Sequence, residues 1–156
     1  LDTALGHVHC LSAGDAPGEP LVLLHQTPRS VDEFAEVLPR LATARRVVAI
    51  DTPGYGCSDR VPGQPTVEQY AGAALQALDA LGIDRFVAVG HHTGAVIAAE
   101  LAAAAPTRVA GVALSGAIDL DAAGRAYLLP FFRQWRVAPD GGHLLEKWRK
   151  LAAWAP

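Results

Sequence analysis

The sequence lacks methionine altogether and has only two cysteines, Cys10 and Cys57. Because a primary translation product normally begins with methionine, we expect these 156 residues to be a processed piece or a fragment of a longer chain. Two cysteines do not make a disulfide framework, so a reducing compartment is the default and we expect a cytoplasmic protein. The first ten residues also lack the basic start and apolar stretch of a secretory signal.

Long basic runs and long apolar runs are missing as well. The net charge is -3 and no stretch holds five or more basic residues, which excludes nucleic-acid binding driven by phosphate contacts. The longest apolar candidate, 95–105, is interrupted by Glu100 and falls short of the roughly 18 residues that a membrane span needs. The expected partner is therefore a small-molecule substrate, with neither nucleic acid nor membrane involved.

The residues that are present predict a folded α/β domain. Apolar residues make up 51% of the chain and charged residues 19%, which excludes wholesale disorder. Short apolar runs alternate with segments of helical spacing, and this order favours a doubly wound parallel sheet covered on both faces. The predicted strands cover 5–12, 21–25, 46–50, 86–89 and 108–115, and the predicted helices cover 30–41, 66–81 and 95–105.

The helix ends carry recognisable signals. Ser30 is a plausible N-cap with Glu33 in the capping-box position, and Thr66 caps the next helix, which Gly82 ends.

The pattern changes after residue 117, where no further strand follows. Two helices are predicted, over 121–135 and 141–154, and they hold all three tryptophans. We therefore expect a core at 1–117 and a partial helical lid at 118–156. The aromatic residues of the lid either pack on the core or line an apolar substrate pocket, and both interpretations stay open. The candidates for the pocket are Tyr127, Phe131 and Trp135.

Three motifs follow predicted strands, where ligands gather in open parallel sheets. The segment 89–95 reads Val-Gly-His-His-Thr-Gly-Ala, a strand, a tight turn and the start of a helix. It resembles the Gly-x-Ser-x-Gly nucleophile elbow of the α/β-hydrolase family, with His92 at the position of the nucleophile. The segment 25–28 resembles the family's His-Gly-x-Pro oxyanion turn, and 51–59 resembles its Asp-x-x-Gly-x-Gly-x-Ser loop. The resemblance covers roughly residues 5–120.

The resemblance implies roles for five residues. The backbone amides of Thr27 and Thr93 would form the oxyanion hole, and Gln26, which stands where the family usually has glycine, and His25 would contact the substrate. The His92 imidazole would face the pocket as a base, an acid or a polar ligand. The acidic and histidine partners that the family places after the lid are not within these 156 residues.

The expected function is that of an α/β-hydrolase-like enzyme acting on a small, largely apolar ester, thioester or lactone, with no cofactor. Two alternatives stay open: a non-catalytic ligand-binding protein on the same fold, and a cofactor-independent lyase or proton-transfer enzyme. The 156 residues alone are expected to be inactive, and to self-associate or pair with the remainder of the protein, because the edge of the sheet would be unpaired.

Several of these residues also have structural interpretations. The structural alternative for His25 is a buried histidine that hydrogen-bonds the loops, and the structural alternative for Thr93 is a helix N-cap. His91 is expected to contact a neighbouring strand, and Asp51 to tie the loop after it through backbone amides.

Other polar residues are weaker candidates. His7 and His9 have the i, i+2 spacing of a metal pair, but a polar strand face is favoured and no metal is expected. Ser58 and Ser115 are the serines near strand ends that could replace the missing nucleophile, although neither lies on an elbow.

Overall fold

The computed structural model describes residues 1–117, 119–133 and 137–153. The chain divides into two compact units, Leu1–Ile118 and Asp119–Pro156. This division falls one residue from the predicted boundary between core and lid. Within the described residues, no helix is long and apolar enough to cross a membrane.

The first unit contains the sheet. Its strands are β1 (Asp2–Thr3), β2 (Gly6–His7), β3 (Cys10–Ala13), β4 (Leu21–Leu24), β5 (Val47–Ile50), β6 (Phe86–His91) and β7 (Val109–Ser115). Its α-helices are α1 (Leu38–Leu41), α2 (Val67–Ala80) and α3 (Thr93–Ala104), and a 3₁₀ turn covers Val31–Phe34.

Five of these strands form one sheet in the order β3-β5-β4-β6-β7. The pairs β4–β5, β4–β6 and β6–β7 are parallel, as predicted, and Leu24 is in register with both Ile50 and Gly90. The edge strand β3 runs antiparallel to β5. The carboxyl ends of β4, β5 and β6 therefore meet at one edge of the sheet, which brings the three sequence motifs together.

The predicted strand over 5–12 is wrong in its extent. The chain forms a β1–β2 hairpin, in which Gly6 takes a φ of +96°, and β3 begins only at Cys10.

The core lies on both faces of the sheet, because alternate residues of its strands point to opposite sides. One face packs Val22, Leu24, Val48 and Ile50 with the small buried residues of α2 and α3. The other face packs Leu23, Val47 and Ala49 against Val31 and Phe34 of the 3₁₀ turn.

The helix after the oxyanion turn differs from its prediction. Instead of one helix over 30–41, the chain forms the 3₁₀ turn and the short helix α1. Pro39 lies in the first turn of α1, where proline is tolerated. In one continuous helix over 30–41, Pro39 would have no amide hydrogen to donate to the Ala35 carbonyl, and its ring would clash with that carbonyl. Ser30 caps the 3₁₀ turn by accepting a hydrogen bond from the Asp32 amide, while the Glu33 side chain points elsewhere.

The second helix agrees with its prediction. Thr66 and Gln69 form a reciprocal capping box at the start of α2, and Gly82 follows its end with a φ of +66°. The last strand, β7, is an edge strand of the five-stranded sheet and exposes 39% of Val112 and 49% of Leu114.

The second unit contains α4 (Ala122–Arg133) and α5 (Gly142–Ala152). The Asp121 carboxylate accepts a hydrogen bond from the Gly124 amide at the start of α4. In α5, Lys150 pairs with Glu146 at 2.8 Å and lowers the pKa of that carboxyl. The two helices predicted after residue 117 are thus present as α4 and α5.

Candidate active site

The turn between β6 and α3 has the backbone of a nucleophile elbow. His92 adopts φ 49° and ψ -110°, a left-handed conformation that costs a non-glycine residue about 1–3 kcal/mol. The glycines on either side are required by space: a Cβ on Gly90 would lie 2.2 Å from the Gly94 carbonyl oxygen, and one on Gly94 would lie 2.0 Å from the Leu24 carbonyl oxygen. The turn is thus pressed against the end of β4.

His92 is half-buried and held from two sides. Its amide donates to the Ser115 carbonyl at 2.8 Å, which joins the elbow to the end of β7. A Cβ on Gly116 would come within 3.2 Å of the imidazole Nε2, so the ring lies directly beside this glycine. The His91 and His92 rings meet edge to face with centroids 4.7 Å apart. The elbow therefore presents an imidazole in a defined place.

The oxyanion turn approaches the elbow through two threonines. The Thr27 amide donates to Thr93 Oγ1 at 2.6 Å, and the two hydroxyls are hydrogen-bonded to each other. Thr93 is the first residue of α3, and its amide has no intrahelical acceptor because it lies in the first turn. The N-cap of α3 is His92, so the alternative that Thr93 caps the helix is wrong.

Glu33 is a residue of this site that the sequence analysis assigned to helix capping. Its Oε1 is hydrogen-bonded to His91 Nδ1 at 2.5 Å, and its Oε2 accepts from the Gln26 amide at 3.2 Å. His91 therefore contacts the 3₁₀ turn through its side chain. No periodicity reports such a contact, because it joins residues 58 positions apart.

Two roles were predicted for His25, one in substrate binding and one as a buried structural histidine, and its position fits the second. His25 is 1% exposed. Nδ1 hydrogen-bonds the Gln26 carbonyl at 2.8 Å, and Nε2 accepts from the Thr52 amide at 3.0 Å. A carbonyl only accepts and an amide only donates, so the proton is assigned to Nδ1 of a neutral ring. With both nitrogens used inside the protein, His25 shapes the turn.

Asp51 holds the loop that follows it and also contacts two other segments of the chain. Its Oδ2 accepts from the Cys57 amide at 2.9 Å, as predicted, and also meets His9 Nδ1 at 2.9 Å. Its Oδ1 accepts from the Val31 amide at 2.7 Å. Ser58 donates to the Asp51 carbonyl at 2.8 Å and accepts from the His9 amide at 3.0 Å, so its hydroxyl is part of the same network.

His7 and His9 both contact carboxylates. His7 Nδ1 lies 3.0 Å from Asp2 Oδ1. The expectation of one polar strand face for both histidines is wrong, because His7 ends β2 and His9 lies between β2 and β3. His9, Asp51 and Cys57 offer ligand atoms within 4.8 Å of one another. The Asp51 carboxylate in this group already accepts two backbone amides.

The aromatic residues predicted to line an apolar pocket, Tyr127, Phe131 and Trp135, belong to the second unit. Tyr127, in α4 of the second unit, is 68% exposed. The side chain of Phe131 and the whole of Trp135 lie outside the described residues.

The sequence profile of the alpha/beta hydrolase fold family matches residues 19–154, which is most of the chain. The chain belongs to the alpha/beta hydrolase fold family. Within this family it is 32% identical over 112 residues to a fluoroacetate dehalogenase of a Burkholderia species, covering 69% of this chain and 36% of the relative. It is 33% identical over 119 residues to the acetyltransferase component of an acetoin cleaving system of Pseudomonas putida, covering 76% and 32%.

Solved structures of alpha/beta hydrolases agree with the fold. The structure of Est816, described as an N-acyl homoserine lactone degrading enzyme, superposes with a TM-score of 0.63 at 31% identity, covering 69% of this chain and 40% of that one. The chain spans about a third of the length of the two curated relatives above.

Proposed function

We propose that the protein is a hydrolase acting on a small, largely apolar ester, thioester or lactone, with His92 as the group that meets the substrate. The observation that carries this proposal is the strained backbone of His92 at the end of β6. A conformation that costs free energy persists where the surrounding structure imposes it, and such positions cluster at active sites. The similarity to a lactone-degrading enzyme supports the substrate class.

The chemistry we infer is general base catalysis. The His92 imidazole takes a proton from a water molecule while the water oxygen bonds to the carbonyl carbon, and the carbonyl electron pair moves onto oxygen. The oxyanion electron pair then re-forms the carbonyl, the bond from carbon to the leaving oxygen or sulfur breaks, and the imidazolium gives the proton to that leaving atom. A direct attack by the imidazole would instead give a labile acyl-imidazole.

The oxyanion would be held by the Thr27 and Thr93 amides. The first of these amides donates to Thr93 Oγ1 in the structure. We infer that the oxyanion takes the place of this hydroxyl, and that the Thr93 side chain rotates to admit it. Gln26, half-buried on the same turn, would contact the substrate next to it.

A second candidate function is ligand binding without turnover. It is favoured by the same hydrogen bond, since an amide that already has a partner is not a free oxyanion donor.

We also propose a cytoplasmic location, which is supported by the two free thiols, Cys10 and Cys57.

The test compares His92→Ala with wild type on p-nitrophenyl acetate and p-nitrophenyl butyrate. We expect kcat to fall about 100-fold or more, because positioned acid–base groups contribute that much. Exposed imidazoles hydrolyse such esters slowly, so His7→Ala, which removes an exposed histidine of β2, is the matched control and should leave kcat unchanged. Equal turnover in wild type and His92→Ala would remove His92 from the mechanism, and ester binding without turnover in wild type would favour the second candidate.

A further inference from the structure

The two loops that form the candidate active site are joined by one carboxylate. Glu33 Oε1 is bonded to His91, the residue before His92, and Glu33 Oε2 is bonded to the amide of Gln26, the residue before Thr27. Each Glu33 oxygen therefore contacts the residue that directly precedes a proposed catalytic group. Because a carboxylate only accepts, the proton in the first bond is donated by His91 Nδ1.

The base of this bridge is firmly anchored. Glu33 lies on the 3₁₀ turn, whose Val31 and Phe34 are buried against Leu23 and Ala49 of the sheet. The Val31 amide also donates to the buried Asp51 carboxylate. A short turn fixed at both its apolar and its polar contacts leaves the Glu33 side chain little freedom, and that side chain is only 11% exposed.

The neighbouring charge of Arg29 adds little to the arrangement. Its Nε lies 3.8 Å from Glu33 Oε2, but the Arg29 side chain is 56% exposed. Exposed ion pairs of this kind contribute about 0–1 kcal/mol. The main contacts of the Glu33 carboxylate are therefore its hydrogen bonds with His91 at 2.5 Å and with the Gln26 amide at 3.2 Å.

We propose that Glu33 is a positioning residue that sets the distance between the oxyanion turn and the elbow, by holding Gln26 with one oxygen and His91 with the other. This inference rests on the proposed function for its catalytic consequence. The Thr27 amide and the His92 imidazole must both lie beside the same substrate carbonyl group. Misplacement of either group by about 1 Å can cost about 100-fold in rate. Glu33 itself touches neither the substrate nor the reacting atoms.

The experiment uses Glu33→Ala, Glu33→Gln and the control Glu36→Ala, each made in the whole protein to which these 156 residues belong. Glu36 is an exposed carboxylate three residues further along, so its removal makes the same change in charge without touching the site. Two quantities are measured: the amide hydrogen-exchange rates of Gln26 and Thr27 by NMR, and kcat and KM for p-nitrophenyl acetate. Thermal melting establishes that each variant is folded.

In Glu33→Ala we expect exchange at Gln26 and Thr27 to accelerate about tenfold, the equivalent of one lost hydrogen bond. We expect kcat to fall about 10- to 100-fold with KM within about twofold, since the loss is one of alignment in the transition state. Glu33→Gln should recover most of both, because its oxygen can accept from Gln26 and its NH₂ can donate to His91 in the other tautomer.

Unchanged exchange in Glu33→Ala, or the same change in Glu36→Ala, would overturn the positioning role. Failure of Glu33→Gln to recover exchange would overturn it too, since the carboxylate charge would then matter more than the bridge. If wild type shows no ester turnover, the proposed function fails, and the exchange rates alone decide whether Glu33 positions the turn. If turnover is present but kcat does not respond to Glu33→Ala, the positioning inference fails and the proposed function stands.

Discussion

Two polar clusters of similar chemistry lie at the carboxyl ends of β5 and β6, the strands on either side of β4. The Asp51 cluster contains Asp51, His9, His25, Cys57 and Ser58, and the elbow cluster contains His92, His91, Glu33, Thr27 and Thr93. Each pairs a carboxylate with a histidine at hydrogen-bond distance. They differ in burial: Asp51 and His25 are each 1% exposed, whereas His91 and His92 are half-buried and Thr93 is exposed.

This difference separates structural from functional use of the same side chains. In the Asp51 cluster the carboxylate oxygens and both His25 nitrogens are engaged with the protein, mostly with its backbone. Such a network fixes loops and leaves little capacity for a ligand. In the elbow cluster His91, His92 and Thr93 are open to solvent, and His92 has a strained backbone. Two variants and one labelling experiment test this comparison.

The largest effect is expected from Asp51→Ala. It leaves the Val31 and Cys57 amides and the His9 imidazole without their buried acceptor. We expect the free energy of unfolding to fall by about 3–5 kcal/mol, measured by urea denaturation. Asp32→Ala removes an exposed carboxylate nearby and should change it by less than about 0.5 kcal/mol. Equal losses in the two variants would contradict the structural role of the Asp51 cluster.

A smaller effect is expected from Thr93→Val, which removes the hydroxyl that now accepts the Thr27 amide. If the oxyanion must displace this hydroxyl, kcat/KM for p-nitrophenyl butyrate should rise about two- to tenfold, the free energy of one net hydrogen bond. Thr93→Ser keeps the hydroxyl and should match wild type. A fall in Thr93→Val would mean that the hydroxyl itself donates to the substrate.

The third test leaves the sequence unchanged and compares thiol reactivity at the rim of the Asp51 cluster. Burial raises the pKa of the Cys10 thiol to about 11, whereas Cys57 is exposed. Because the thiolate is the reactive form, iodoacetamide at pH 8 should label Cys57 at least about tenfold faster than Cys10. Peptide mass spectrometry measures both rates, with denatured protein as the control in which they converge. Equal rates in the folded protein would contradict the burial of Cys10.

Local patterns predicted the strands that are buried on both faces and the helix capped by Thr66, because these depend on residues close in sequence. The position of His92 on an elbow was also predictable, since the glycines at 90 and 94 mark the turn. Pro39 marks the start of the separate helix α1, whereas the apolar spacing around it predicts one helix over 30–41. The role of Glu33 was not predictable, because its partners lie seven and 58 residues away.

The sequence by itself determined the α/β architecture and the residue types at the elbow, the oxyanion turn and the loop after Asp51. Periodicity and turn chemistry are local properties, so one chain suffices to read them. Only the tertiary structure decided that His25 is enclosed, that Thr93 accepts from Thr27 and that Glu33 joins the two loops. These facts depend on which strand ends meet at the sheet edge and on how closely the backbones approach, and residue order alone does not fix either.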